Sequence, residues 1–379
     1  MYNNNCFIWV GNKQSDVDDC GDFFSKTISL YGCNDSNHIS FKQIRTPNLA
    51  SNAAQSEFIE KQIKNEMSLN HNTKFMFYNQ CRAYSFDAEI INNNFLVVND
   101  KKVVDLFNNK IEFRKLFNLS SFRIPKYVVL KGSQINDKAL SSYFKDTELF
   151  VLQQPYGAGC DNTLLLRKDE LLLETKPETT YLVSEFIENT ISFNRHILIG
   201  EKDVIIFQPS IQIIDLKRQS YQGADFINAN EILGNEILKS SYFVAKEIAH
   251  KMQLFGYRGI CGVDFMCDRK NTLYAIEINA RFQASSFLIN MSLKDNGLPS
   301  LQELNYFSWF SKEFFDLETI KKCETLVVNY SSIILTNEDF FNVKRINNGY
   351  LYKIKTDAVE QYEEYDNKTY LLKLIYKRY

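Results

Sequence analysis

The sequence predicts an α/β fold that is divided into several lobes. Short apolar runs of strand length alternate with helix-like or polar segments in the N-terminal quarter of the chain. Farther along, paired apolar runs are joined by polar turn residues, and one long segment repeats apolar residues at helical spacing. With 379 residues, of which 45% are apolar and 24% charged, the chain is long enough for about two or three domains with a sizeable core.

The N-terminal runs predict the strands of an open α/β domain, which we bound at residues 1–114. They lie at Cys6–Val10, Phe75–Tyr78 and Phe95–Val98. A helix is predicted from Lys101 to Asn118, because apolar residues recur there at helical spacing and a proline follows at position 125.

The middle of the chain predicts a central lobe of strands over residues 115–190 and a larger lobe over residues 191–315. Strands of the central lobe are predicted at Tyr127–Leu130, Leu149–Gln153, Thr163–Leu166 and Tyr181–Ile187. The larger lobe is predicted to hold a hairpin at Ser192–Gln212, a loop near the substrate entrance at Tyr221–Asp225, and a helix at Ile232–Leu254. A small β-rich lobe, residues 316–379, is predicted from runs at Leu326–Leu335, Gly349–Ile354 and Tyr370–Tyr376.

Charge and cysteine usage exclude several classes of protein. The chain has 44 Lys+Arg against 46 Asp+Glu, which gives no electrostatic footprint for nucleic acid or an anionic membrane. It has no apolar stretch of about 18 residues for a membrane helix, and its N-terminus lacks the basic flank of a signal peptide. The eight cysteines are scattered without a Cys-x-x-Cys pair, so we expect reduced thiols in a cytoplasmic protein.

The most informative segment is a predicted hairpin of two strands, Ile260–Met266 and Thr272–Asn279. Side chains alternate along a strand, so Glu277 and Asn279 share one face, with Asp264 nearly opposite across the turn. Two carboxylates and an amide oxygen suit Mg²⁺, which takes its other ligands from phosphate and water. Arg281 follows where it would meet an anion beside the metal. Taken alone, the hairpin is more typical of acids that face solvent.

The order of helix, Gly256–Phe265, turn and Ile276–Gln283 resembles the ATP-grasp superfamily of ATP-dependent carboxylate–amine ligases. The resemblance covers about residues 99–310 and is most specific from Gly256 to Ser286. It implies an ATP-grasp fold preceded by a Rossmann-like domain, with ATP and Mg²⁺ as cofactors. It also implies that Asp264, Glu277 and Asn279 hold Mg²⁺ and that Arg281 stabilises the transferred phosphoryl group.

The same resemblance assigns a nucleotide-binding segment after the second strand of the central lobe. Gln154 stands where the family usually has a lysine before proline, with Gln153 as the alternative alignment, and the glycine-rich loop carries Gly157 and Gly159. Taken alone, these two glycines are more typical of a plain turn.

Further nucleotide contacts are implied elsewhere in the chain. Glu185, Phe186 and Ile187 resemble the hinge segment whose backbone reads adenine. The position of the usual ribose-binding acid holds Ile191, with Glu188 as a substitute. Arg195 is either a phosphate or carboxylate contact or a surface strand residue. Either Lys110 or Lys101 matches the early lysine that reaches ATP.

The resemblance implies a ligase that activates a carboxylate as an acyl phosphate and joins it to an amine, releasing ADP and phosphate. The run from Arg281 to Leu304 looks closer to stand-alone amino-acid or peptide ligases than to purine or biotin enzymes. The expected partners are therefore a small carboxylate and an amine, without nucleic acid or membrane, and a homodimer is the commonest soluble assembly. The alternative is an ATP-grasp protein that binds a nucleotide or metabolite without catalysis.

Overall fold

The computed structural model describes residues 6–32, 34–42, 52–86, 96–145, 147–157, 163–168, 170, 175–215, 220–310, 316–336, 358–365 and 369–378. These residues form three β-sheets with helices against them, in agreement with the predicted α/β class.

The N-terminal part is a parallel sheet of five strands in the order β3-β2-β1-β4-β5. The strands are β1 (Phe7–Lys13), β2 (Lys26–Tyr31), β3 (His38–Lys42), β4 (Lys74–Phe77) and β5 (Leu96–Val97). Helix α1 (Asn52–Leu69) packs on it through the buried Ile59 and Ile63, and short 3₁₀ helices lie at Gln14–Phe23 and Gln80–Ser85. The predicted strands match β1, β4 and β5, whereas β2, β3 and α1 were not predicted.

The predicted helix from Lys101 to Asn118 is two shorter helices. Helix α2 (Lys101–Asn108) ends at Asn109, and helix α3 (Lys110–Leu116) begins directly after it. The Asn109 side chain accepts hydrogen bonds from the backbone N–H groups of Ile111 and Glu112, so it caps α3. The apolar spacing continues through the break, which is why the pattern alone did not reveal it.

The central lobe is an antiparallel sheet of four strands in the order β6-β9-β7-β8. The strands are β6 (Tyr127–Lys131), β7 (Leu149–Gln153), β8 (Thr163–Arg167) and β9 (Thr180–Glu185). A 3₁₀ helix at Gly132–Gln134 and helix α4 (Asp137–Tyr143) cover one face, where Leu140, Phe150 and Leu152 are buried together.

The largest sheet has eight antiparallel strands in the order β14-β13-β10-β11-β12-β15-β17-β16. They are β10 (Ile191–Ile199), β11 (Val204–Asp215), β12 (Ser220–Asp225), β13 (Gly259–Cys267), β14 (Leu273–Asn279), β15 (Tyr330–Thr336), β16 (Ala358–Tyr365) and β17 (Thr369–Lys377). Its helices are α5 (Ala229–Leu254), α6 (Ser286–Asp295), α7 (Leu301–Phe310) and α8 (Leu317–Glu324).

Each face of this sheet is covered by a different set of elements. Phe193, Val263 and Phe265 pack in one cluster with helix α5 and with helices α2 and α3. Leu198 and Ile260 point to the opposite face, where helices α6 and α7 and residues of the N-terminal sheet cover them. The alternation of side chains along β10 and β13 therefore separates a helix-packed face from a face that meets the other lobes.

Two C-terminal expectations differ from the structure. The segment Tyr221–Asp225 is part of strand β12 instead of a loop, because it pairs with β11 and with the distant β15, a contact that no local pattern signals. The strands of the predicted C-terminal lobe extend the largest sheet through β15.

The predicted strand Gly349–Ile354 and the predicted site residue Gly159 lie outside the described residues. None of the helices in the described ranges combines the length and the hydropathy needed to cross a bilayer.

Candidate active site

The acidic residues of the β13–β14 hairpin face each other in the structure. Asp264 pairs with Glu277, and Gly262 pairs with Asn279. The register shifts by one residue just beyond the Asp264–Glu277 pair, so the β14 strand carries a bulge directly before Glu277. Glu277 and Asn279 therefore share the face of Asp264, which is the face that meets the other lobes.

The Asp264 carboxylate lies among side-chain amides from three neighbouring strands. Its Oδ1 accepts hydrogen bonds from Asn194 Nδ2 at 2.5 Å and Gln212 Nε2 at 3.1 Å, and its Oδ2 accepts one from Asn279 Nδ2 at 3.0 Å. Burial, and then the charge of Glu277, raise the pKa of Asp264 to about 7, although the hydrogen bonds from Asn194 and Asn279 and the charge of Arg281 oppose the rise. The carboxylate therefore stands in a setting where a cation would be strongly favourable.

Glu277 is bound to a lysine that also reaches the glycine-rich loop. Lys110 Nζ lies 3.0 Å from Glu277 Oε2 and donates to the Gly157 carbonyl at 2.9 Å. The Lys110 backbone N–H donates to the Pro155 carbonyl at 2.9 Å. The first residue of α3 thus connects the acidic hairpin with the segment after β7. Lys101, the alternative to Lys110, pairs with Asp105 on the exposed side of α2.

Arg281 lies beside the hairpin acids. Its Nη2 donates to Asn279 Oδ1 at 2.9 Å, and its Nη1 donates to the Phe282 carbonyl at 3.1 Å. The phenol of Tyr78, at the carboxyl end of β4, is also near: burial raises the pKa of Tyr78 to about 12, while the Arg281 charge opposes that rise. The N-terminal sheet therefore contributes to the wall of the site.

The donor set of this site fits Mg²⁺ better than a metal held by protein groups alone. Among the described residues, no three His, Cys, Asp or Glu side chains cluster so that they would hold a metal ion. Two carboxylates with one amide oxygen are too few for a closed protein site, but they match Mg²⁺, which keeps waters and phosphate oxygens as ligands.

The predicted nucleotide segments make fewer contacts with the hairpin acids. Gln154 and Gly157 follow β7, next to Lys110. Glu185 ends β9, and its Oε1 accepts the Lys126 backbone N–H at 3.0 Å, so its carboxylate is engaged within the central lobe. The Phe186 N–H donates to the Leu149 carbonyl. Ile187 is then the first hinge residue that lies beyond these strand contacts.

Arg195 is not brought to the acidic site. It is 5% exposed and lies on the opposite face of the sheet, where Nε donates to Ser241 Oγ at 3.0 Å. Its other nitrogens donate to the Phe207 and Leu238 carbonyls. The prediction that Arg195 contacts a ligand is corrected, because strand alternation turns it toward α5 while its neighbour Asn194 faces Asp264.

Three further residues of the site were not singled out from the sequence. Asn194 and Gln212 reach Asp264 from β10 and β11. Gln283 packs against Gly262: a Cβ atom added to Gly262 would lie 1.5 Å from Gln283 Nε2. Gln283 Nε2 is buried and has no hydrogen-bond partner among the described residues. The available signal was the occurrence of polar residues within strands that are otherwise apolar.

Comparisons with known proteins agree with this architecture. A family model for the ATP-grasp domain matches residues 107–285, the range that holds Lys110, the segment after β7 and the acidic hairpin. No curated protein sequence matches the chain.

Several solved structures are similar over nearly the whole chain. The biotin carboxylase domain of 2-oxoglutarate carboxylase from Hydrogenobacter thermophilus, with MgADP and bicarbonate, has 13% identity and a TM-score of 0.65, over 98% of this chain and 86% of that chain. Biotin carboxylase from Campylobacter jejuni has 11% identity and a TM-score of 0.63, covering 98% and 87%. N5-carboxyaminoimidazole synthetase from Staphylococcus aureus, complexed with ADP, has 11% identity and a TM-score of 0.59, covering 98% and 93%. At these identities the likeness shows the fold.

Proposed function

We propose that this protein is an ATP-dependent ligase that activates a carboxylate as an acyl phosphate and joins it to an amine, with release of ADP and phosphate. The observation that carries the proposal is the pairing of Asp264 with Glu277 beside Asn279, with Lys110 joining Glu277 to the loop after β7. The match of residues 107–285 to the ATP-grasp domain supports ATP and Mg²⁺ as its cofactors.

The chain's own residues divide the work at this site. Asp264, Glu277 and Asn279 would hold Mg²⁺, which supplies charge neutralisation for the ATP phosphates. Lys110 is placed to exchange its contact with Glu277 for a phosphate oxygen, because it lies between the acid and the loop. Arg281 would stabilise negative charge on the phosphoryl group as it moves to the substrate carboxylate. Gln154, Gly157, Gly159 and the hinge residues 185–187 would bind the nucleotide.

The substrate carboxylate would take the γ-phosphoryl group of ATP on one oxygen, with ADP as the leaving group. The amine would then attack the acyl carbon, so that the C–N bond forms while the C–O bond to phosphate breaks, phosphate leaves, and the amine nitrogen loses a proton. We propose an amino acid or peptide for one or both substrates, as the run after Arg281 suggests. The N-terminal domain would form part of the acceptor side, which the position of Tyr78 near Arg281 supports. A cytoplasmic location and a homodimer complete the proposal.

Nucleotide turnover tests the reaction. Purified protein is incubated with Mg·ATP and pooled amino acids, and ADP, AMP and phosphate are measured. We expect ADP and phosphate that depend on the amino acids and that fall by about 100-fold or more in Glu277→Gln. Glu178→Gln, on an 88% exposed side chain of the central lobe, is the matched control and should retain turnover. Formation of AMP and pyrophosphate would contradict the acyl-phosphate mechanism.

A second candidate is a protein that binds nucleotide without turning it over. The observation in its favour is Gln154, which stands where the family pattern usually has a lysine. The site therefore has one cationic contact to phosphate fewer. Tight binding of ATP measured by calorimetry, with no turnover for any subset of the pool, would favour this candidate.

A further inference from the structure

The two oxygens of the Asp264 carboxylate have different surroundings. Oδ1 faces β10 and β11 and accepts from both Asn194 and Gln212. Oδ2 faces β14 and accepts only from Asn279, itself one of the proposed metal ligands. An ionised carboxylate oxygen has about two acceptor sites, so Oδ1 is saturated while Oδ2 retains one.

The residues that saturate Oδ1 are held by the sheet. Asn194 is 2% exposed, pairs directly with Asp264 across the β10–β13 ladder, and donates also to the Val263 carbonyl at 3.2 Å. Gln212 extends from β11, one strand farther away. Since both amides come from the sheet interior, they fix the carboxylate orientation without occupying the side where Glu277 lies.

We infer that Asn194 and Gln212 are positioning residues that limit Asp264 to one coordinating oxygen and so make the site selective for Mg²⁺ over Ca²⁺. The inference rests on the metal site of the proposed function. Mg²⁺ demands near-ideal octahedral geometry and few carboxylate oxygens, whereas Ca²⁺ takes more oxygen ligands and accepts bidentate carboxylates. A carboxylate whose second oxygen is occupied by two amide donors suits the smaller ion.

Displacement of Mn²⁺ tests this selectivity without measuring activity. Mn²⁺ bound by the full chain is followed by the loss of the free-ion signal in electron paramagnetic resonance, and Mg²⁺ or Ca²⁺ is then added as competitor. For the unaltered protein we expect Mg²⁺ to displace Mn²⁺ at lower concentration than Ca²⁺. In Gln212→Met and in Asn194→Leu, we expect the ratio of the two competing constants to move about tenfold toward Ca²⁺.

The matched control is Ser210→Ala. Ser210 lies on β11 opposite Asn194 and is fully buried, and its Oγ has no hydrogen-bond partner among the described residues, so its variant should keep the original ratio. Gln212 is only partly buried, so its variant tests the inference even where Asn194→Leu fails to fold.

Three results would overturn the inference. The first is an unchanged ratio in a folded Gln212→Met protein that still binds Mn²⁺, which leaves the proposed metal site standing. The second is an equal change in Ser210→Ala, which would assign the effect to packing. The third is an absence of Mn²⁺ binding by the unaltered protein, which would overturn the metal site as well.

Discussion

The β13–β14 hairpin and the central lobe contribute to the same candidate site in different ways. In the hairpin, each predicted metal ligand lies in direct contact with another polar group of the site: Asp264 with Asn279, and Glu277 with Lys110. In the central lobe, the Glu185 carboxylate and the Phe186 N–H are used inside the lobe itself, and Gln154 replaces a cation. The difference indicates that the charge-bearing half of the candidate site is preorganised, and we expect the central lobe to contact the nucleotide mainly through backbone groups and shape.

The largest effect should come from the hairpin side. Arg281→Met removes the guanidinium that would stabilise the transferred phosphoryl group, so we expect turnover to fall by about 10³-fold with nucleotide affinity little changed. Arg269→Met, in the turn of the same hairpin, is the control because Arg269 is exposed and bonds Asn189 instead. Equal losses of turnover in both variants would show that Arg281 has no specific role in the reaction.

The next effect separates the two faces of the largest sheet. Arg195→Met leaves the Phe207 and Leu238 carbonyls without their donor, so we expect the free energy of unfolding to fall by about 2 kcal/mol. The affinity for MgADP should not change, because Arg195 faces α5. Denaturant unfolding measures the stability and calorimetry measures the affinity for MgADP. A loss of MgADP affinity with an unchanged free energy of unfolding would show that Arg195 contacts the ligand after all.

A gain of charge in the central lobe should sharpen the contrast. Gln154→Lys introduces the cation that the family pattern has at this position, so we expect MgADP to bind about tenfold more tightly. Gln153→Lys is the matched variant, since Gln153 bonds Thr163 on β8 and represents the alternative alignment. Calorimetry distinguishes the two variants. Tighter MgADP binding in Gln153→Lys alone would show that position 153, and not position 154, corresponds to the family lysine.

The smallest effect concerns the packing behind the hairpin. His196 pairs with Gly262 across the sheet and is fully buried, and burial lowers its pKa to about 3. Unfolded chains take up a proton near pH 6.5 while folded His196 stays neutral, so the protein loses stability as the pH falls from about 6.5 toward 3.

We therefore expect His196→Gln to show a weaker fall in the free energy of unfolding between pH 7 and 5.5 than the unaltered protein, by about 1 kcal/mol. Gln retains a hydrogen-bonding group for Ser286 Oγ, which His196 Nε2 meets at 3.0 Å. His250→Gln, on the exposed side of α5, should leave the pH profile as it is. Identical profiles for all three proteins would show that His196 is solvated in the folded state.

Local patterns were most informative where a residue's role depends on neighbours in sequence. The alternation of Glu277 and Asn279 and the short turn to Asp264 needed only the geometry of one hairpin. The turn at residues 200–203 and helix α5 were likewise predicted close to their observed bounds, since apolar spacing and a following glycine define them. The resemblance to ATP-grasp proteins was also predicted from residues in this part of the chain, and the family model for that domain matches residues 107–285.

The remaining features depend on contacts between distant segments. Strand β12 was predicted as a loop because its partner β15 lies about a hundred residues later, and Gly223 permits that approach: a Cβ there would stand 2.1 Å from the Ser332 carbonyl oxygen. The placement of Arg195 required the face of the sheet to be known, and so did the amides of Asn194 and Gln212 around Asp264.

The sequence by itself determined the fold class and the acidic hairpin, because periodicity and short spacing encode strands, turns and the side chains that share a face. Only the tertiary structure decided that Lys110, instead of Lys101, meets Glu277, and which oxygen of Asp264 remains open. These outcomes depend on how separate lobes and strands come together, and that packing is set by the burial of whole surfaces and not by any local run of residues.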